Sequence, residues 1–523
     1  MRTRVLLIYP KIPATYWNLE YTLKFLYYKS VMPPLGLLTI AAMLPSNYEP
    51  RIIDLNTTDV SSQDIEEADI VFISAMIIQK DSFHQIVQLC RKNQKTVVAG
   101  GPYATSCYKE IKDVDHFVLH EGEVTLPQFI RDYENGCPQK VYGDENKPDV
   151  TKTPLPRFDL IDVDQYLVMS LQFSRGCPND CEFCDIRDLF GNKTRTKQAQ
   201  QFIREMECLF NIGFKGFIFV VDDNFTAARK NVKELLKQII KWQKEHNYPF
   251  SFFTQASLDV ASDDELLDLL KEARFHELFI GIETPHAETL LQVRKKNNIH
   301  IDLYEAVQNI QSRGIEVMGG FILGFDTDPD DIFDSMINFI QQAAIPQAMI
   351  GLLNAVPNST FYKRMEKDGR ISGESSGDNL SFESNLISVM PKEKLIDGFK
   401  HVIFEIYKPE NYFQRVLTLI KRFPKDSVYR DYLARSHATG SGKTKSFIKN
   451  LNIRLLNLRI VYKAIFNDYT FDVVKFLMEI LRYDYKYFNY AAYMIIRGYH
   501  FIKLTETIVA SESAMNEQGE KKQ

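Results

Sequence analysis

The chain of 523 residues contains no uncharged apolar run approaching the ~20 residues that cross a bilayer, which excludes a membrane-spanning helix. Its first apolar run, residues 5–9, is too short for a signal-peptide core and runs straight into Pro10, so a cytoplasmic location is expected. Positive charge is not in excess either. With 63 Lys and Arg against 68 Asp and Glu, the net charge of −5 offers no general attraction to nucleic acid. Paired cysteine spacing is also missing: Cys90, Cys107, Cys137 and Cys208 are scattered, which argues against a secreted disulfide scaffold and suits a reducing compartment. At this length, with 45% hydrophobic and 25% charged residues, about three globular domains are expected.

The remaining three cysteines, Cys177, Cys181 and Cys184, stand at C-x3-C-x2-C spacing in one short loop. A disulfide would leave one of them over, and a closed zinc site would want a fourth ligand. Buried structural thiols would not need the Gly, Pro and Asn packed around them. Three thiolates can instead wrap a cubane [4Fe-4S] cluster and leave its fourth iron without a protein ligand. No further cysteine cluster exists for a second centre.

In the N-terminal third, short apolar runs at residues 5–9, 51–54, 70–74, 96–100 and 116–119 alternate with polar, helix-like stretches. This is the pattern of a buried, doubly wound parallel sheet, whose ligands lie beyond the carboxyl ends of the strands. Those ends carry Asp54-Leu-Asn56, Ser74-Ala-Met76 and Gly100-Gly101-Pro102. Paired glycines let a backbone approach a ligand, but alone they more often make a tight turn.

After a proline-marked linker at 150–168, six more strand-like runs are expected, at 171–173, 216–221, 250–253, 278–282, 317–323 and 348–353. Helical stretches at 231–245, 263–273 and 303–313 fall between them, giving a partial (β/α)6 barrel with function at the C-terminal strand ends. Asp222-Asp223-Asn224 at one such end reads as a divalent metal site or a helix cap. From about residue 372 the rhythm stops, and a mainly helical region begins. Residues 441–500 hold ten Lys or Arg against four Asp or Glu, with tyrosines at 483, 485, 487, 490, 493 and 499. That composition fits a membrane-surface helix and a packed helical bundle equally. The polar residues 512–523 read as a disordered tail.

The cysteine spacing, with Phe183 before the last cysteine, resembles the signature of the radical S-adenosylmethionine (SAM) superfamily. Residues 33–38, 99–102 and 120–125 resemble the cobalamin-binding domain of its B12-dependent branch, and the whole order resembles the hopanoid C-2 methylase group. The resemblance implies a Rossmann-like cobalamin domain at 1–149, a radical SAM barrel at 169–371 and a helical domain at 372–523. It implies that SAM chelates the open iron and is cleaved to a 5′-deoxyadenosyl radical. Phe183, Asp223, Gln255, Glu283, Gly319 and Gly320 would contact SAM, the glycines by admitting the adenosyl group. Asn56, Ser74, Gly100 and Gly101 would contact cobalamin. Where related domains read D-x-H-x-x-G, this chain has Asn56 in the histidine slot and Asp59 in the glycine slot, so no histidine ligation of cobalt is expected. The implied reaction is methyl transfer to an unactivated carbon of a lipid or other small molecule, fed by flavodoxin or ferredoxin, with peripheral membrane contact through the C-terminal domain. A radical cyclase without methylcobalamin and a non-catalytic binding module are the rival expectations.

Overall fold

The computed structural model describes residues 2–520 except 27, 379, 383, 428 and 430–468. Six parallel strands form the first sheet: β1 (Thr3–Tyr9), β2 (Tyr48–Asp54), β3 (Ile70–Ser74), β4 (Thr96–Gly100), β5 (His116–Val118) and β6 (Val141–Tyr142). Their order is β2-β1-β3-β4-β5-β6. Apolar side chains on both faces of these strands enter two separate cores, one centred on Ile73, Phe83 and Ala99 and one on Leu7, Phe72 and Phe129. A parallel sheet covered by helices on both sides requires this. The short edge strand β6, with only two residues, is too brief to stand out as an apolar run.

The polypeptide then runs through β7 (Val168–Leu171), a two-residue hairpin pair β8 (Ser174–Arg175) and β9 (Arg195–Thr196), and the strands β10 (Gly216–Val220), β11 (Phe250–Ala256), β12 (Phe275–Glu283), β13 (Glu316–Leu323) and β14 (Ala348–Leu352). β7 and β10–β14 pair in parallel, in chain order, as an open half-barrel. The first of these strands lies earlier than the expected 171–173. Residues 168–171 are the ones that register against Phe217–Val220, and Phe173 has already left the sheet to begin the cysteine loop. Helices clad the outside through one apolar stripe each. In Arg229–Glu245 the stripe is Val232, Leu235, Leu236, Ile239 and Ile240, the i, i+3, i+4 spacing of a single helical face. Asp263, Asp302 and Ser359 cap the helices Asp264–Glu272, Leu303–Ser312 and Thr360–Lys367 through side-chain oxygens.

Helices Lys392–Tyr407, Pro409–Arg422, Thr470–Asp484 and Phe488–Glu520 complete the described chain. Residues 512–520, expected as disordered tail, continue the last helix; Gly519 is the first glycine after Gly498, and no proline intervenes to stop the helix. Much of the basic stretch, residues 441–468, lies outside the described residues. Of its tyrosines in the described part, Tyr487 and Tyr490 are buried, whereas Tyr483 and Tyr485 are exposed. No described helix is long and apolar enough to cross a membrane.

The last helix closes the floor of the half-barrel. Arg497, 3% exposed, donates to Glu277 of β12 and Glu316 of β13 at 3.2 Å each, and to Gln347 before β14. Tyr490 donates to Glu316 at 2.7 Å. His500 meets the Thr15 carbonyl, and Thr22 donates to the Ile496 carbonyl, so the segment after β1 is also tied to this floor.

Two carboxylates facing one guanidinium leave an excess negative charge, and burial pushes Glu277 up to about 7, against the pull of Arg497 and with Glu316 adding to the rise. A carboxyl raised in the folded state stabilises below its ordinary value near 4.5 and loses that contribution as pH climbs through about 7. The urea midpoint of the protein is therefore expected to fall between about pH 5 and pH 8, with a shallower fall in Glu277→Gln.

Candidate functional site

The cysteine loop is held to the barrel through its backbone. Asp222, at the end of β10, accepts from the Phe173 and Ser174 amides at 2.8 and 2.7 Å and from the Ser174 hydroxyl at 2.6 Å. Asp223 accepts from the Gly176 amide at 3.0 Å. Successive residues at a strand end point in different directions, so the two neighbours grip two different stretches of the loop. Burial pushes Asp222 up to about 7 and Asp223 up to about 6, while the donated hydrogen bonds pull each back. Gly176 has φ +88°, and a Cβ there would sit 2.6 Å from the Lys193 carbonyl, so only glycine fits. The antiparallel pairing of Ser174 with Thr196 closes the base of the loop.

Its far side is held as firmly. Glu182, between the second and third cysteines, is buried and forms a two-pronged pair with Arg364 at 2.6 and 2.9 Å. Its amide donates to the Val293 carbonyl, and its carbonyl accepts from the Phe361 amide. Phe183 packs beside Phe325, with ring centroids 6.2 Å apart.

All three cysteines are free thiols and half-buried. Among the described residues, no three His, Cys, Asp or Glu side chains gather as a single-ion site would require. Three thiols on one short loop are what three corners of a cubane need, because each takes its own iron. Burial raises the Cys181 thiol, and raises Cys184 to about 12; the ammonium of Lys295 opposes both shifts. Lys295, its side chain 12% exposed, pairs with Glu283 at 2.6 Å. The donor set therefore fits the cluster: thiolates that burial disfavours are compensated by a buried cation beside them. Lys295 carried no role in the sequence analysis, because nothing between Arg294 and Lys296 marks its nearness to Cys181 and Glu283.

Glu283 adopts φ +68°, a left-handed conformation uncommon outside glycine, at an irregularity in the β12–β13 register. Its carboxylate folds back over Gly281, where a Cβ would come within 2.4 Å of Oε1 and 2.9 Å of the Lys295 Nζ. Glu283 and Lys295 thus present a carboxylate and an ammonium together at the strand ends near Cys181. Gln255 is half-exposed on the inward face of β11.

Three other expectations are corrected. Gly319 and Gly320 are buried, and the space beside them is filled by the protein's own rings: a Cβ on Gly319 would meet Phe321 at 2.5 Å, and one on Gly320 would meet Phe279 at 2.8 Å. They admit aromatic side chains rather than an adenosyl group. Asp223, expected against SAM, gives one oxygen to the loop backbone, Asp222 is taken up by the Phe173 and Ser174 amides, and Asn224, the expected cap, stands at the N-cap position without a side-chain cap bond. Asn56 is spent on its own loop. Its amide donates to Asp54 at 2.7 Å and to the Pro10 carbonyl, and it accepts from the Ile12 amide, so both side-chain N–H groups are taken up within its own loop.

Ser74, Gly100 and Gly101 do line a cavity of about 280 Å³ at the carboxyl ends of β3 and β4. Helix Leu35–Met43 walls it on one side, and His120, Arg175 and Phe190 close it toward the cysteine loop. Its mostly apolar walls suit a slot for the flat tail of a corrinoid. Arg175, two residues before Cys177, pairs with Glu121 and Glu123 at 2.8 Å, and Arg195 pairs with Glu121 at 2.7 Å. Glu121 is 1% exposed, so the first sheet is locked against the cysteine hairpin through a dry charge cluster. These four residues carried no assigned role in the sequence, since ion pairs between separate domains have no fixed spacing.

The lumen of the half-barrel is aromatic. On β11 full burial alternates with half-exposure, and the half-exposed residues face inward. Phe253 stacks on Phe219 at 4.7 Å and 4°, and Phe279 meets Trp17 edge-on at 4.9 Å. Leu23, Val31 and Val168 pack beneath Phe217, Phe219 and Phe253.

Residues 171–340 match the radical SAM superfamily, residues 25–130 the B12 binding domain, and residues 360–514 a domain of unknown function (DUF4070). The chain is 37% identical to an uncharacterized methyltransferase of Synechocystis, over 97% of this chain and 92% of that protein. It is 32% identical to the hopanoid C-2 methylase of Rhodopseudomonas palustris, over 98% of this chain and 96% of that one. Among solved structures, the radical SAM methyltransferase TsrM of Kitasatospora setae, with cobalamin and a [4Fe-4S] cluster bound, shares the fold. Its TM-score is 0.56 at 16% identity, covering 70% of this chain and 78% of that one.

Because the loop hangs on Asp222, Asp222→Ala is expected to leave buried amides unpaired and cut the iron retained after anaerobic reconstitution by well over half. Asp222→Asn, which keeps one acceptor, should retain more iron than the alanine variant. Lys295→Met should keep the fold, measured by circular dichroism, but lower iron retention and weaken SAM binding by about tenfold or more, the scale of one lost charge-assisted contact.

Proposed function

The chain belongs to the cobalamin-dependent radical SAM family, and from that premise we propose that it methylates an unactivated carbon of an apolar, ring-containing or isoprenoid lipid. It is a radical SAM methyltransferase, using a [4Fe-4S] cluster, SAM and cobalamin. When bound, the cluster with SAM supplies a radical that removes a substrate hydrogen, and the corrinoid supplies the methyl group.

Cys177, Cys181 and Cys184 are the proposed cluster ligands. Glu283 is the proposed acceptor for the ammonium or ribose of SAM, Lys295 the proposed partner of its carboxylate, and Gln255 a further polar contact. The backbone at Phe183 is the proposed adenine contact. Ser74, Gly100 and Gly101 are proposed to receive the tail of cobalamin. With Asn56 engaged by Asp54 and no histidine in residues 54–59, this loop would offer a bound cobalamin no imidazole.

The observation that carries the lipid reading is the lumen. Phe219 and Phe253, stacked on each other, and Phe279 and Trp17, in edge contact, form half-buried aromatic walls beside the strand ends that carry Gln255, Glu283 and Lys295. Flat rings bind against such walls by area and offset stacking. The named activity of the R. palustris relative supports the same class of substrate. Peripheral contact with a membrane and an electron donor of the flavodoxin or ferredoxin type complete the proposal.

Protein purified anaerobically with B12 supplied is expected to hold about four irons and one cobalamin per chain. Lipid extracts from a deletion strain should lack a methylated lipid that reappears on complementation. Four irons without cobalamin would instead favour a radical cyclase, and Cys177→Ala that still cleaves SAM would remove the cluster assignment. Phe219→Ala should raise KM for the lipid with a smaller effect on SAM cleavage, because the ring contacts substrate surface rather than the cluster loop.

A further inference from the structure

Helix Thr470–Asp484 is apolar on both sides. Its inner face, Val473, Phe476, Leu477 and Ile480, packs against the helix Pro409–Arg422, with Phe476 stacked on Phe413 at 5.0 Å. An ordinary surface helix turns charged residues outward. Here the outward positions are Phe471, Val474, Met478 and Leu481, followed by Tyr485 in the next turn. They recur every three or four residues, and Phe471, Leu481 and Tyr485 are 77%, 53% and 67% exposed. Lys475 and Arg482 stand exposed on the same side. Asp472, Glu479 and Asp484 sit on the flanks, and Glu479, its side chain 40% exposed, lies 3.4 Å from Arg482.

We propose that this outward face docks the enzyme on an anionic bilayer surface, with the apolar stripe entering the headgroup boundary and Lys475 and Arg482 meeting lipid phosphates. Charge decides between a bilayer and a second copy of the chain. An isologous contact through this face would bring Lys475 of one copy toward Lys475 of the other across the two-fold, with Arg482 already beside Glu479, whereas an anionic surface complements the exposed lysine. The neighbouring sequence tilts the same way. Residues 432–467 contain seven Lys or Arg and no Asp or Glu, in a chain whose net charge is −5. Large apolar residues and cations on one exposed helical face are the composition of an interfacial helix. The docking surface deepens the peripheral-contact reading above and rests on the lipid-substrate reading only for its purpose, delivery of a membrane lipid to the lumen.

The test is flotation of the full-length holoenzyme with vesicles of phosphatidylcholine containing a minor fraction of phosphatidylglycerol. Wild type should float with these vesicles and far less with pure phosphatidylcholine. Phe471→Ser combined with Leu481→Ser should weaken binding by about tenfold or more, and Lys475→Gln with Arg482→Gln should abolish the dependence on anionic lipid and on salt. All substituted side chains are exposed, so iron content and circular dichroism should match wild type. Failure of wild type to float, or equal flotation of the variants, overturns the proposal; so does a wild-type dimer that the apolar variant converts to monomer without any vesicle binding. Methyl transfer to substrate in detergent micelles separates the two readings. Flotation without methyl transfer to any lipid would strike the lipid-substrate reading and leave the docking surface standing, whereas micellar activity without flotation would do the reverse.

Discussion

The structure depends on the capture of one loop's backbone by two adjacent carboxylates. The three cysteine side chains of the loop are reserved for iron and cannot order it. Its amides must be satisfied from outside, and Asp222 and Asp223 take those of Phe173, Ser174 and Gly176. Glu182 does the equivalent on the far side through Arg364. The thiols are thus placed by a frame of hydrogen bonds already complete without them, so that cofactor binding need not also order the chain.

The same loop fixes where the first domain sits. Arg175 and Arg195 lie on the two strands of the hairpin that closes the loop, and both reach Glu121 at the start of a helix of the first domain. Rotation of one domain over the other would strand a carboxylate that is 1% exposed, which is far costlier than losing a surface pair. The cavity lined by Ser74 and Gly101 is therefore walled by Arg175 and Phe190 of the cysteine hairpin in a fixed orientation. A reaction that needs two cofactors to reach one carbon requires that rigidity, since effective concentration falls steeply once either partner moves.

Much of this was legible in the sequence, and the unread part has common causes. The cysteine triplet, the alternation of apolar strands and polar helices, and the strand-end positions of Glu283 and Gln255 are local patterns, and local patterns survive in one dimension. The role of Asp223 was misread because a backbone amide has no letter of its own: nothing in the sequence marks Gly176 as its partner. Gly319 and Gly320 suggested room for a ligand, but whether a gap is open depends on Phe279 from a neighbouring strand. Lys295 and Arg364 act across folds of the chain, where charge sign is visible and proximity is not. The first barrel strand was placed late because Phe173 extends an apolar run that the sheet abandons at Leu171.

The glycines of β13 show how the lumen and the floor of the barrel are linked. Gly320 faces inward beside Phe279, and removing its side chain lets that ring lie against the strand, where it meets Trp17 from the segment after β1. That segment is in turn held by the last helix through Thr22 and His500. The last helix is anchored by Arg497 to the first residues of β13 and to β12. The aromatic wall that would face a substrate is therefore supported from below by a buried ion cluster and from the side by the segment after β1. A substituent that shifts Phe279 must disturb both, so the shape of the lumen is set by residues from all three regions of the chain rather than by the barrel alone.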